Sequence, residues 1–108
     1  MWRDIPEQDW KYLRSIQEVM LEELARRIND EVREILSRDG VSENEKRGRV
    51  YDIVRRRDRI VAECFDGWSR SKMYERCWSL RTHGLLRPEH IEKLTPETQK
   101  AVAPLPPQ

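Results

Sequence analysis

A chain of 108 residues is the length of one domain, and with 38% charged against 37% hydrophobic residues it has little apolar material for a core. Its 21 basic and 20 acidic residues leave a net charge of +1, so no global field draws it to nucleic acid or to an anionic membrane, and a charged partner must be sought in local clusters. No apolar run approaches the ~20 residues of a bilayer span, and Met1-Trp2-Arg3-Asp4-Ile5-Pro6 lacks the layout of a signal peptide, so a cytoplasmic protein without membrane contact is expected.

In chain order, the spacing first predicts one long helix over residues 6–38. Trp10, Leu13, Ile16, Met20, Leu24, Ile28, Val32 and Ile35 recur every three or four positions, as one face of a helix requires. Pro6 suits a first turn, Glu7 and Asp9 suit the positive end of the helix dipole, and Asp39-Gly40 ends the run. Glu22–Arg26, Glu23–Arg27 and Glu34–Arg38 are spaced to pair along the exposed face.

A second helix begins at Ser42-Glu43-Asn44-Glu45, which reads as a capping box with Ser42 as cap and Glu45 reaching back. Val50, Ile53, Val54, Ile60, Val61, Cys64, Phe65 and Trp68 give it one apolar stripe, which Gly67 either kinks or interrupts. Met73, Cys77 and Leu80 continue a helical period as far as His83-Gly84. Leu86-Arg87-Pro88-Glu89 and Leu94-Thr95-Pro96-Glu97 each place a proline and an acid at the start of a short helix. No segment alternates with period two. The expected fold is all-α: two long helices and a cluster of short ones over residues 1–103, with a loose Pro-rich tail at 104–108.

A helix of that length would be about 48 Å long at about 1.5 Å per residue, whereas a compact domain of this size is only about 34 Å across. The helix must project, or else break near Asn29-Asp30 and fold back. A projecting amphipathic helix leaves apolar surface uncovered, and a homodimer through the two long helices is its simplest cover. Trp10, Leu13, Met20, Leu24, Ile28, Val32, Ile53 and Val61 are the expected core and dimer contacts.

Chemistry is sparse by comparison. Cys64 and Cys77 lie in apolar stripes with no CxxC spacing and read as buried thiols; His83 and His90 lack partners at metal-ligand spacing. There is no GxSxG and no Gly-rich phosphate loop, and the carboxylates are scattered among arginines, so neither catalytic residues, nor a metal, nor a cofactor is expected. Trp68 and Trp78 close the second and third apolar stripes, Trp78 at the margin of its face, and Trp2 precedes the first helix. The sharpest local feature is basic: residues 46–59 hold Lys46, Arg47, Arg49, Arg55, Arg56, Arg57 and Arg59 against Asp52 and Asp58. Arg55, Arg56 and Arg57 fan over about 200° of helix, which suits solvated surface or an acidic protein partner better than a nucleic-acid backbone. A regulator that grips nucleic acid through this arginine-rich helix is the alternative to a protein-binding module.

The order Val50-Tyr51-Asp52-Ile53-Val54, then Arg57, then Phe65-Asp66 fourteen residues on from Asp52, carries a resemblance. It resembles the fluorescence recovery protein family, in which a leucine, any residue and Asp-Phe-Leu precede an arginine pair and a later Tyr-Asp. After a one-residue insertion near Ser69-Arg70, Ser71, the segment Leu80 to Leu86 and the short acidic stretch Glu89 to Leu94 also match, as does a tryptophan before one long helix. The likeness covers about two thirds of the chain. It implies a small, dimeric, all-helical protein that binds photoactivated orange carotenoid protein and speeds its return to the resting form. It makes Asp52 and Arg57 the partner-contact candidates, with Arg49, Arg56, Phe65 and Asp66 around them. The family's tryptophan four residues before the aspartate falls here on Gly48, the second arginine of the pair on Asp58, and the tyrosine-rich stretch on Gly67-Trp68-Ser69-Arg70. These departures fit a divergent relative with a protein partner other than the family's usual one.

Overall fold

The computed structural model describes residues 4–104, and among these there are helices and no strand. Helix α1 runs Glu7–Leu36 without a break at Asn29-Asp30, so the chain takes the projecting alternative. Pro6 stands just outside it as the N-cap (φ −51°, ψ 141°), and the last turn closes through the Ser37 amide on the Arg33 carbonyl. Gly40, at φ +74°, turns the chain back, a conformation that glycine adopts without Cβ strain.

Helix α2, Glu43–Phe65, starts as half of the expected capping box. Ser42 Oγ accepts from the Glu45 amide at 3.1 Å, but Glu45 turns its carboxylate outward to Arg49 Nη2 at 2.9 Å. Lys46 Nζ donates to the Leu36 carbonyl at 2.9 Å and ties the start of α2 to the end of α1. Gly67, at φ +62°, ends this helix and does not merely kink it, and Trp68 Nε1 folds back onto the Cys64 carbonyl at 2.7 Å. A single 3-10 turn, Arg70–Lys72, leads into α3, Met73–Thr82. Then come α4, Pro88–Ile91, and α5, Pro96–Val102, each with its proline in the first turn as the sequence predicts.

The α1–α2 hairpin is antiparallel and gives the molecule extents of 54 × 31 × 25 Å with a radius of gyration of 17.1 Å. A compact chain of this length would have about 13 Å. The core lies at one end only: Ile5, Leu13, Met20 and Leu24 meet Cys64, Met73, Cys77, Leu80, Leu85, Leu86, Leu94 and Val102. No residue between Ala25 and Glu63 is fully buried. Of the expected core positions, Leu13, Met20 and Leu24 are buried, and Trp10, Ile28 and Val61 pack half-buried against the core. Val32 and Ile53 are half-buried beyond it, where two helices have only each other to cover them. Trp2 and the tail from residue 105 lie outside the described residues. Among the described residues no helix is long and apolar enough to cross a membrane.

Two polar links hold the short helices onto α1. Asp9 is wholly buried and accepts from the Thr95 amide at 2.9 Å, the Thr95 hydroxyl at 2.7 Å and the Thr98 hydroxyl at 2.5 Å. It therefore ties the start of α5 to α1 from across the molecule, a role beyond that of an acid favouring the start of its own helix. Arg27 donates to the carbonyls of His83 at 2.8 Å and Gly84 at 3.0 Å and so caps the end of α3.

Candidate functional site

The residues of the basic run sort by what they touch. Lys46 is engaged by Leu36 and Glu43, Arg47 by Asn44, Arg49 by Glu45, and Arg57 by Glu31 on α1, at 3.1 and 3.3 Å. Among the described residues Arg55, Arg56 and Arg59 have no ion pair, and neither do Asp52 and Asp58. Arg57, carried over as a contact residue, is half-buried and laces the two long helices together. Asp52 is exposed.

The structure brings four of the sequence candidates to one place. Arg49, Asp52 and Arg56 line, with Ile53 and with Ile35 of α1, a shallow cleft of about 210 Å³. Their spacing of three and four residues puts them on one helix face. It does not bring Phe65 and Asp66 there, for thirteen residues of helix place them about 20 Å away. Phe65 stacks on Trp68, with ring centroids 6.0 Å apart, and Trp68 sits 6.4 Å from Trp10. Asp66 ends α2 and offers its carbonyl to Arg76 Nε at 3.0 Å. Phe65 thus packs half-buried against the core, while Asp66 keeps its side chain exposed.

At 100° per residue the hairpin has two unlike sides. Asp52 lies about 140° and Arg56 about 180° round α2 from Phe65, so the α2 rim of the cleft faces away from the aromatic cluster, while its Ile35 wall lies about 20° from Trp10 on α1. Val50, Val54 and Val61 lie within about 60° of Phe65, and on α1 Val32 and Leu36 lie within about 80° of Trp10. This second side is apolar and incompletely covered: Leu36 is 49% exposed and Val54 36%. Gly48 is half-buried, and a Cβ there would meet nothing within 4 Å.

Several other ionisable groups hold the fold. Glu23 takes Arg26 Nη2 at 2.7 Å, Arg27 Nε at 3.1 Å and Arg87 Nη2 at 3.4 Å, and the hydrogen bonds from Arg26 first, then Arg27, hold its carboxyl down to about 2. Glu34–Arg38 and Glu23–Arg27 pair as expected, whereas Arg26 leaves Glu22 for Glu23 and Asp30. Both cysteines are buried and free, and burial pushes Cys64 up to about 11 and Cys77, further raised by Asp9, up to about 12. Thiols so raised are poor nucleophiles. His83 faces Glu63 at 3.3 Å, and His90 Nδ1 accepts from the Arg87 amide at 3.1 Å. Trp78 is 46% exposed, as its marginal position predicts, and donates to the Ala101 carbonyl at 2.9 Å.

Comparison with protein-family models, with curated proteins and with solved structures finds no match. The residues missed from sequence are Asp9, Glu23 and Arg27. Only Glu23–Arg27 left a signal in the helix spacing; the long-range partners of all three lie 56 to 89 residues along the chain.

Proposed function

We propose that this protein is a non-enzymatic regulator that works as a homodimer by binding another protein, in the manner of a fluorescence recovery protein. Its target is a photoactivated carotenoid protein or a different protein that presents a matching surface. The observation that carries this reading is the uncovered hairpin, in which no residue from Ala25 to Glu63 is fully buried. A half-exposed apolar face of this length is unfavourable alone and is relieved by a partner of the same kind. A second copy covers the side bearing Val32, Leu36, Val50, Val54 and Val61. That leaves the opposite side, with Asp52, Arg49 and Arg56, free for the target. Asp52 supplies the acceptor there, and Arg57, fixed by Glu31, holds α2 in the register that presents it.

The test has two parts. Val54→Glu introduces a charge on the apolar side, where it disturbs no buried contact; a monomer of unchanged helicity is expected, and a dimer unaffected by it contradicts the assignment of that side. For the target, purified protein is mixed with a photoactivated orange carotenoid protein and the return of the resting absorbance is timed. Acceleration that Asp52→Ala abolishes supports the family's partner; acceleration indifferent to Asp52→Ala overturns the site, and none at all assigns the dimer to a different target.

A further inference from the structure

We infer that the target segment is acidic, with an apolar side chain among its carboxylates, and that Arg55, Arg56 and Arg59 receive it. This rests on the protein-binding reading above and adds the chemistry of the partner. Seven basic residues crowd into residues 46–59, yet four of them already have an acceptor within the chain: Lys46, Arg47, Arg49 and Arg57. The fan that these residues make in sequence therefore narrows once they are taken out. The three arginines left over fall, in the order Arg55, Arg59, Arg56, within about 100° of arc on α2. All three are exposed. Among the described residues none of them has an ion pair, and guanidinium groups on one helix face are suited to paired hydrogen bonds with carboxylates of a partner.

Beside them Ile35 and Ile53 floor a shallow cleft of about 210 Å³, whose rim of Arg49, Asp52 and Arg56 is charged. A purely polar ligand would leave it wet, so the fitting partner combines carboxylates with an apolar anchor. Asp52 lies on the same arc, between Arg59 and Arg56, and accepts from a donor of the segment while the segment's carboxylates meet the arginines on either side, which fixes the register. A phosphate backbone has no donor to offer that carboxylate. The short reach of the ridge also disfavours such a backbone, since Arg55 to Arg59 spans about 6 Å of helix and engages few phosphates.

The experiment uses the full chain and a fluorescently labelled peptide of four Glu-Glu-Leu repeats, followed by anisotropy at low ionic strength, with a thymidine dodecamer as the phosphate counterpart. The peptide is expected to bind, to be released by salt, and to lose about tenfold in affinity in Arg55→Gln/Arg56→Gln/Arg59→Gln. The matched variant Arg33→Gln/Arg38→Gln/Arg47→Gln removes equal charge from arginines already engaged by Asp30, Glu34 and Asn44, and should bind as the parent does. No peptide binding, equal weakening in both variants, or tighter binding of the dodecamer than of the peptide each overturns the inference. The solution mass of the same samples is read separately. A dimer that ignores the peptide sinks this inference and leaves the dimeric regulator standing, whereas a monomer that binds the peptide does the reverse.

Discussion

Asp9 and Glu23 set what single residues contribute. Asp9 is a carboxylate shut away from water and kept there by three donors from Thr95 and Thr98. Removing it leaves those donors without acceptors in the interior, so Asp9→Ala should cost about 3 kcal/mol in urea unfolding, while Glu7→Ala, on the exposed side of the same turn, should change stability by less than about 0.5 kcal/mol. Glu23 gives a pH signature. Its carboxyl binds protons less tightly in the folded protein, about 2 against an ordinary 4.5, so its contribution is complete above pH 4.5 and is lost as the pH falls toward 2. Melting temperatures taken between pH 7 and pH 3 should fall less steeply in Glu23→Gln than in the parent; parallel curves would show that Glu23 carries no such linkage. The acids at the start of α1 and the Glu23–Arg27 spacing were legible in the sequence. That Asp9 is buried was not, because its partners lie 86 and 89 residues away and a lone aspartate in a first turn is indistinguishable from a dipole acid.

The elements were the most legible level. Apolar spacing, Ser42, the two X-Pro starts and the glycines at positions 40, 67 and 84 mark where helices begin and end, because caps and positive φ are local demands. What spacing could not decide was which of several arginines a carboxylate would choose. Arg26 has Glu22, Glu23 and Asp30 all within one turn, and takes the latter two. The candidate site shows the same ambiguity: Asp52, Arg49 and Arg56 share a cleft, while Arg57 turns inward because Glu31 faces it across the hairpin. Helix α2 also offers a test in both directions. Gly48 sits in a helix interior with open space where a Cβ would go, so Gly48→Ala should stabilise by about 0.5 to 1 kcal/mol. Ser42→Ala removes the bond to the Glu45 amide and should destabilise by about 1 kcal/mol. Chemical denaturation of the two variants reads both; equal midpoints would contradict this account of how α2 is held.

For the whole molecule, the shortage of apolar residues and the length of α1 combine into one consequence. A core confined to one end leaves a hairpin two helices thick, and the 54 Å extent matches the length that the apolar period of α1 requires. Composition and periodicity left projection and a break near Asn29-Asp30 as the two outcomes, and the unbroken α1 decides for projection. They did not locate the boundary at Leu24 and Cys64, because the stripe residues on either side of it are alike in sequence and differ only in whether α3 to α5 reach them. The uncovered apolar side is the central fact behind the proposed dimer, and the α2 rim of the cleft on the other side depends on it for its freedom. The most direct measurement is therefore the mass of the full chain in solution at low micromolar concentration, by light scattering or sedimentation. The account predicts twice 13.1 kDa, and a species that stays at 13.1 kDa would contradict it.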